Sequence, residues 1–363
     1  MEARIIYDNQ GSAFDGCDAV VEVKDSKLRL LQITDTQVID STQQRKPDRL
    51  RPDEYAAWLP EYFDKQCGDH IRSIVNQTKP DLIFITGDFV YGSFDDSGRV
   101  MEWFCRLMDS FKIPWAPVFG NHDNECRLGV NWQCEQLERS RYCVFKRGGV
   151  TGNSNYTVGI AKSGKLLRVM YMLDSNGCKA EDPKVTRKTG LYPDQLEAMR
   201  EKAVRIRTAQ KRDVKAFMAF HVPVDLFFDA AKEKGYLKEG KRSFIIGVDT
   251  PALDGDFGFF LENEGYIATD GFYELLKELC VDGVFMGHNH NNCGCISHKG
   301  IKWVFGMKTG QYDYHVPGQN GATLVTVDGD DFQVACVPSL VPPASMPGLA
   351  PMFENLLTFG KKE

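Results

Sequence analysis

Long hydrophobic runs, an excess of basic charge and a cysteine framework are all missing from this sequence of 363 residues. No apolar run approaches the roughly 20 residues that a transmembrane helix needs, so we expect no membrane span. Lysine and arginine number 44 against 50 aspartates and glutamates, which gives a net charge of −6. No basic field therefore points to nucleic acid or to an anionic membrane. An acidic chain can still act on phosphates when bound cations carry the positive charge.

The cysteines number eleven, an odd count, and follow no framework spacing. Such a pattern is typical of reduced thiols in a reducing compartment. The one tight pair is Cys293-Gly294-Cys295, and because a single C-x-C is a weak zinc or redox signal, we interpret it as structural. The segment from Met1 to Ile5 begins no apolar stretch, so we expect no signal peptide. These features together predict a cytoplasmic protein.

Short apolar runs alternate with helical patterns through most of the chain. The runs that indicate buried strands are Leu28–Ile33, Leu82–Thr86, Ala116–Phe119, Ala216–Phe220 and Val284–Met286. The helical patterns cover Asp53–Gln77, Ser97–Ser110 and Asp194–Thr208, and a further short helix is predicted to start at Thr269-Asp270-Gly271. This alternation is typical of an α/β sheet with buried strands.

The later part of the chain has more strand than helix. Its predicted strands are Leu167–Leu173, Ile301–Met307, Ala322–Val327 and Phe332–Val337. The dipeptide Asp328-Gly329 predicts a tight hairpin between the last two. We expect these strands to be largely antiparallel and to form a second sheet packed on the first. With no boundary for a second domain, the sequence predicts one domain over residues 1–337 and a proline-rich tail over 338–363.

Five predicted strands lead directly into a polar residue that can hold a metal ion. These residues are Asp35, Asp88, Asn121, His221 and His288, with His290 two positions further on. Because ligands of α/β sheets bind outside the carboxyl ends of the strands, we expect these side chains to meet in one crevice. Each has an ordinary explanation on its own, such as a turn, a helix cap or a core histidine. Five coincidences at five strand ends favour a metal site, and the mixture of oxygen and imidazole ligands suits zinc, manganese or iron.

The same blocks, in the same order, resemble the calcineurin-like metallophosphoesterase superfamily and, within it, the purple-acid-phosphatase-like group. The blocks are Asp35, Gly87-Asp88, Gly120-Asn121-His122-Asp123, His221 and Gly287-His288-Asn289-His290, and they lie between about Lys27 and about Val327. The resemblance implies a four-layer α/β/β/α sandwich of the metallo-dependent phosphatase type. It also implies a dinuclear centre of two divalent or trivalent transition metals (Fe, Mn or Zn). In that centre Asp88 bridges both metals, Asp35 and His290 hold the first, and Asn121, His221 and His288 hold the second.

The function that the resemblance implies is hydrolysis of a small phosphomonoester by in-line attack of a metal-bridging hydroxide, with His122 as general acid. A phosphodiester such as a cyclic nucleotide is the alternative substrate. A nuclease is disfavoured because no basic stripe interleaved with aromatic residues is present. A non-catalytic scaffold of the same fold is the remaining alternative, but such a chain is expected to have lost His122 or several ligands.

The first block departs from the commonest pattern of the superfamily, which is Asp-x-His. This chain has Asp35-Thr36-Gln37, and a glutamine carbonyl is a weaker ligand than imidazole, so we expect a loosely held first metal. Tyr91 matches the tyrosine of the Gly-Asp-x-x-Tyr block of purple acid phosphatases, where a tyrosinate ligates ferric iron. We predict that Tyr91 ligates the first metal, the alternative being that it only packs nearby.

Two further features bear on substrate recognition. Arg127, just after the Asn-His block, is a candidate contact to a phosphate oxygen, or else an ordinary surface residue. The segment Pro223–Gly265 is long for a connection and is predicted to act as a lid or a specificity loop.

Overall fold

The computed structural model describes residues 4–45, 67–177, 188–234, 237–238, 244–246, 258–260, 271–290, 292–313, 315 and 320–341. Several predicted features lie partly or wholly outside these residues. They are the first part of the helix predicted over Asp53–Gln77, the start at Thr269-Asp270, most of Pro223–Gly265 and most of the tail 338–363.

The described strands and helices follow the predicted alternation closely. The strands are β1 (Arg4–Ile6), β2 (Ala19–Glu22), β3 (Leu28–Ile33), β4 (Leu82–Thr86), β5 (Trp115–Val118), β6 (Tyr156–Lys162), β7 (Lys165–Met172), β8 (Ala216–Ala219), β9 (Leu237–Lys238), β10 (Phe244–Ile246), β11 (Gly258–Phe260), β12 (Val281–Met286), β13 (Gly294–His298), β14 (Ile301–Phe305), β15 (Gly321–Asp328) and β16 (Asp331–Pro338). The helices are α1 (Asp69–Thr78), α2 (Arg99–Ser110), α3 (Val130–Arg139), α4 (Pro193–Gln210), α5 (Leu226–Glu233) and α6 (Phe272–Glu278). Within the described ranges, no helix is both long enough and apolar enough to cross a membrane.

Two large sheets carry these strands. One has eight strands in the order β1-β2-β6-β7-β8-β12-β14-β13, and the other has five in the order β16-β15-β3-β4-β5. A small third sheet joins β9, β10 and β11. The strands β3, β4 and β5 are parallel to one another in the five-stranded sheet, and β7, β8, β12 and β14 are parallel in the eight-stranded sheet.

The later strands do not form a sheet of their own, which corrects the expectation from the sequence. β15 pairs antiparallel with β3, with Leu324 opposite Leu31, and so extends the sheet that contains the first predicted strands. β7 and β14 instead join the sheet that contains β8 and β12. Each large sheet is therefore mixed, because pairings between distant parts of the chain decide sheet membership and local patterns do not record them.

The two large sheets pack face to face, and helices cover their outer faces. Phe84 of β4 lies 5.2 Å from Phe285 of β12, and Phe217 of β8 lies 4.8 Å from Phe332 of β16, between ring centroids. α1 packs against β3 and β15, and α2 and α3 belong to the same hydrophobic cluster. α4, α5 and α6 contact β7, β13 and β12 on the other side. The predicted four-layer α/β/β/α sandwich is confirmed.

The predicted hairpin joins β15 to β16. Asp328 pairs with Asp331, so the loop consists of Gly329 and Asp330 alone. Gly329 has a φ of 63°, a left-handed conformation that glycine adopts at no steric cost. The hairpin is where the sequence predicts it, but its two loop residues are Gly329 and Asp330 rather than Asp328 and Gly329.

Candidate metal centre

The five strand ends predicted to carry metal-binding residues come from both sheets and meet at one edge of the sandwich. β3, β4 and β5 belong to the five-stranded sheet, and β8 and β12 belong to the eight-stranded sheet. The imidazole of His221, just after β8, donates from Nδ1 to the carbonyl oxygen of Thr86 at the end of β4, at 2.8 Å. This hydrogen bond ties the two sheets together at the site.

The turns after these strands hold several residues in a left-handed conformation that is unusual outside glycine. The φ angles are 50° for Asp35, 43° for Gln37, 49° for Asp88 and 72° for His288. Backbone hydrogen bonds keep them there: Asp35 donates to Gly87, at 3.1 Å, and Gln37 donates to Asp88, at 2.8 Å. Residues held in sparsely populated backbone conformations cluster at functional sites.

Two glycines of the motifs leave room for the acidic side chains. A Cβ atom on Gly120 would lie 2.2 Å from Oδ1 of Asp88, and a Cβ atom on Gly287 would lie 2.8 Å from Oδ2 of Asp35. Real Cβ atoms do not approach other heavy atoms so closely. The glycines are therefore required at these positions by the carboxylates that face them.

Four of the predicted residues converge around one nitrogen atom. Nε2 of His221 lies 3.0 Å from Oδ1 of Asn121, 3.2 Å from Oδ2 of Asp88 and 3.2 Å from Nδ1 of His288. Because Nδ1 of His221 already donates to Thr86, its Nε2 is the nitrogen left to offer a lone pair to a cation. Two imidazoles, one amide oxygen and one carboxylate make a donor set that suits a transition metal.

A second group of donors shares one carboxylate with the first. Nε2 of His290 lies 3.3 Å from Oδ1 of Asp35. The donor atoms of Asp35, Asp88 and His290 lie within 4.8 Å of one another, and so do those of Asp88, His221 and His288. Asp88 belongs to both groups. The buried residues therefore fit two neighbouring cations with Asp88 between them.

The charges of the two groups are strongly coupled. Burial opposes ionisation of Asp35, but its hydrogen bond with His290 and the charge of His221 lower its pKa to about 2. The neighbouring histidines likewise lower the pKa of Asp88 in spite of burial. Against burial, the carboxylates of Asp88 and Asp35 raise the pKa of His221 to about 9, whereas burial and His221 lower the pKa of His288 to about 3. The two carboxylates thus favour positive charge between them.

The carboxylate of Asp123 fixes the turns that carry two of these donors. Its Oδ2 accepts the backbone N–H groups of Asp88 at 2.8 Å and Gly120 at 2.7 Å, and its Oδ1 accepts that of Val90 at 2.9 Å. Burial and the nearby Asp88 carboxylate raise the pKa of Asp123, although these backbone hydrogen bonds oppose the rise. Asp123 therefore positions the donors rather than serving as one of them.

His122 lies beside the cluster and touches it through its backbone. Its N–H donates to Oδ1 of Asp88 at 2.9 Å, and its Nδ1 lies 3.1 Å from Oε2 of Glu125. The imidazole side chain is 16% exposed, in contrast to the fully buried His221. The contact of Nδ1 with Glu125 sets the orientation of the His122 ring.

The remaining predicted residues lie at different distances from the donors. Tyr91 is buried, and its ring packs on that of His122 with 4.2 Å between centroids. Gln37 is fully buried, and its Oε1 accepts a hydrogen bond from Nζ of Lys308 at 2.8 Å. Arg127 is exposed and forms no ion pair with any residue that the structure describes.

Some residues of the site carry no signal that the sequence alone reveals. Oδ2 of Asp313 lies 3.6 Å from Nδ1 of His290, where a carboxylate can orient a metal-binding imidazole. Lys308 lies behind Asp35. Lys308 directly follows the predicted strand Ile301–Met307, but a charged lysine offers no lone pair to a metal ion, and Asp313 follows no predicted strand. Asp123 is the last residue of the Gly120-Asn121-His122-Asp123 block and Glu125 lies two positions beyond it, so the motif itself points to both.

A family model for calcineurin-like phosphoesterases matches residues 28–292 of the chain. The chain belongs to the calcineurin-like phosphoesterase family. The matched range contains all five strand ends and both donor groups. Membership in this family implies a dinuclear metal site, in agreement with the two donor groups that share Asp88.

Curated relatives of this calcineurin-like phosphoesterase carry phosphatase names. The chain is 24% identical over 298 residues to phosphatase DCR2 of Saccharomyces cerevisiae, covering 77% of this chain and 47% of that protein. It is 27% identical over 283 residues to probable inactive purple acid phosphatase 29 of Arabidopsis thaliana, covering 70% of this chain and 66% of that protein. The chain thus spans about half to two thirds of the length of these relatives.

Solved structures of phosphatases also align with this calcineurin-like phosphoesterase. A dimetal phosphatase from Danio rerio has a TM-score of 0.47 and 13% identity, with 85% of this chain and 98% of that chain covered. Purple acid phosphatase PPD1 from yellow lupin (Lupinus luteus) seeds has a TM-score of 0.45 and 11% identity, with 87% and 53% covered.

Proposed function

We propose that the chain is a metal-dependent phosphohydrolase that acts on a small phosphorylated substrate and binds two transition metal ions, Fe, Mn or Zn. The observation that carries this proposal is the carboxylate of Asp88, which is common to both donor groups. In the proposed assignment Asp35 and His290 hold the first ion. Asn121, His221 and His288 hold the second, and Asp88 contacts both.

Residues around the two donor groups have separate roles in the proposed reaction. Two bound cations supply an activated water and neutralise the charge of the phosphoryl group. Asp123 holds the turns of Asp88 and Gly120 in place through three backbone hydrogen bonds. Glu125 orients His122, whose Nε2 then donates a proton to the departing oxygen as general acid. We further propose Tyr91 as a ligand of the first ion, and its packing on His122 supports its place near the site.

A non-catalytic scaffold is the second candidate, and two observations favour it. Relatives from Arabidopsis thaliana carry the name of probable inactive purple acid phosphatases, and Gln37 stands where the first block of most superfamily members has histidine. Against it stand His122 and the two donor groups that share Asp88. We therefore favour the enzyme.

A substrate panel tests the proposal. The protein is stripped with a chelator, reconstituted with Mn²⁺, Zn²⁺ or iron, and assayed on p-nitrophenyl phosphate and bis(p-nitrophenyl) phosphate. We expect hydrolysis only after reconstitution, with the monoester preferred. Faster hydrolysis of the diester would show that the chain is a phosphodiesterase rather than a phosphatase. Absence of hydrolysis on both esters in the metal-loaded protein would favour the scaffold.

A further inference from the structure

Lys308 places an ammonium group directly behind the first donor group. The residue is 1% exposed, and its Nζ donates to the carbonyl oxygen of Asp35 at 2.9 Å and to Oε1 of Gln37 at 2.8 Å. Its neighbour Thr309 donates its N–H to the carbonyl oxygen of Thr34 at 2.9 Å. Backbone contacts therefore hold the lysine against the loop that carries Asp35.

The contact with Lys308 assigns the oxygen and nitrogen atoms of the Gln37 amide. An ammonium group has only hydrogens to give, so the end of Gln37 that meets it is the carbonyl oxygen. The other end, Nε2, is buried and has no hydrogen-bond partner among the described residues. An NH₂ group cannot ligate a cation, and the carbonyl oxygen already accepts a hydrogen bond from the ammonium group of Lys308. Gln37 is thus poorly suited to replace the missing histidine ligand.

Several carboxylates lie near the buried ammonium group of Lys308. Burial lowers the pKa of its ammonium group, and the nearby charges of Asp35, Asp313 and Asp88 oppose that fall by favouring the charged form. Two of these carboxylates, Asp35 and Asp88, are donors of the first metal position, together with His290. The lysine and a metal ion at that position therefore share the same negative charge.

We propose that Lys308 sets the cation affinity of the first position, making it the weaker and exchangeable one of the two. Held by Asp35 and Gln37, its ammonium repels the divalent ion that Asp35 and His290 bind, and it keeps the Gln37 oxygen from that ion. Among the described residues, Lys308 hydrogen-bonds to Asp35 and Gln37, which belong to the loop of the first position, and not to Asn121, His221 or His288 of the second. The inference rests on the proposed function, since it needs two metal positions.

The expected size of the effect follows from Coulomb's law. Even at the dielectric constant of bulk water, a unit charge a few ångströms from a divalent ion changes the binding constant by about tenfold, and burial makes the effect larger. We therefore expect two classes of site in the native chain, with dissociation constants at least about tenfold apart.

The test is a titration of the metal-free full-length chain with Mn²⁺, in which the EPR signal of free Mn²⁺ reports the bound ions. His290→Ala should remove the weaker class only, which assigns it to the first position. Lys308→Met keeps the length of the side chain and removes its charge, and it should tighten the weaker class at least about tenfold. Gln37→Glu should act in the same direction, because a carboxylate on the ammonium cancels its charge.

Lys302→Met provides a matched control on the same part of the chain. Lys302 lies on β14 and hydrogen-bonds to Asp331 and to the carbonyl oxygen of Phe332, away from both donor groups. Its replacement should change neither class. A purely structural role of Lys308 predicts the opposite sign, since loss of its two hydrogen bonds would loosen the Asp35 loop and weaken the first position.

The possible outcomes separate the inference from the function on which it rests. Two ions bound with the same affinity in the native chain would overturn the role of Lys308. Weaker binding in Lys308→Met and Gln37→Glu would do the same. Either result would leave the dinuclear site standing. A chain that binds no Mn²⁺, Zn²⁺ or iron would overturn the proposed function itself. If Lys308→Met does not fold, the native titration and Gln37→Glu still decide, because an untightened weaker class in Gln37→Glu contradicts the inference.

Discussion

Replacing Asp123 by asparagine should damage the metal centre without removing any donor. The carboxylate accepts two backbone N–H groups on Oδ2, from Asp88 and Gly120, and one on Oδ1, from Val90. An asparagine has one oxygen and one NH₂ group, so in its better orientation it still leaves the Val90 N–H unpaired. Asp88, Val90, Gly120 and Asp123 are all buried.

The expected loss of stability follows from the unpaired N–H group of Val90. A buried N–H without a partner costs about 1–3 kcal/mol, so the free energy of unfolding should fall by about that amount. Because the turns of Asp88 and Asn121 lose their common support, the affinity for metal should also fall, by about 10- to 100-fold, as expected for a residue behind the ligands. Urea denaturation of the metal-free chain measures the first effect, and chelator competition measures the second.

Asp109 offers a matched control with the same arrangement of donors. Its Oδ1 accepts Nε1–H of Trp115 and the N–H of Tyr142, and its Oδ2 accepts the N–H of Arg141. Asp109→Asn orphans the N–H of Arg141, an exposed residue to which water has access, so its cost should be smaller and metal affinity should not change. Equal loss of metal in both variants, or full metal affinity in Asp123→Asn, would refute the supporting role of Asp123.

Three further predictions concern single side chains. His122→Gln should lower turnover by about 10²- to 10⁴-fold on alkyl phosphates but much less on nitrophenyl phosphate, whose leaving group needs no proton; equal losses would count against a general acid. Tyr91→Phe should abolish any visible charge-transfer band of the iron-loaded protein, and an unchanged band would show that Tyr91 only packs nearby. Burial lowers the pKa of His70 to about 4, below the value of about 6.5 in the unfolded chain. Between these two pH values the unfolded chain binds a proton that the folded chain does not. The free energy of unfolding therefore falls as the pH drops from 6.5 toward 4. Between pH 7.5 and 5 the native chain should therefore lose about 2 kcal/mol more than His70→Gln in urea denaturation, and parallel pH profiles would contradict this.

Local patterns in the sequence were enough to find the strand ends that build the site. β3 and β4 have the predicted bounds, and β5 and β8 differ from theirs by a residue at one or both ends. Strong apolar runs, motif glycines and the polar residues after them are all local features. Local information of this kind predicted which donors meet, because parallel strands bring their carboxyl ends to the same edge.

Other parts of the architecture depend on contacts that no local pattern records. The pairing of β15 with β3 joins residues about 290 positions apart, as in Thr323 opposite Gln32, and it decides that the last hairpin extends the first sheet. Lys308 and Asp313 become part of the site for the same reason, since the connection between β14 and β15 folds back beside Asp35. The sequence places Lys308 after a predicted strand and Asp313 five residues later, but it does not show that this connection lies beside Asp35.

The most direct test of the dinuclear centre is the number of metal ions bound at saturation. Equilibrium dialysis of the stripped chain against Mn²⁺, followed by elemental analysis, should give two ions per chain in the native protein. Asp88→Ala should lose both with the fold retained, because this one carboxylate belongs to both donor groups. Binding of less than one ion by the native chain, or of two ions by a folded Asp88→Ala variant, would contradict the account.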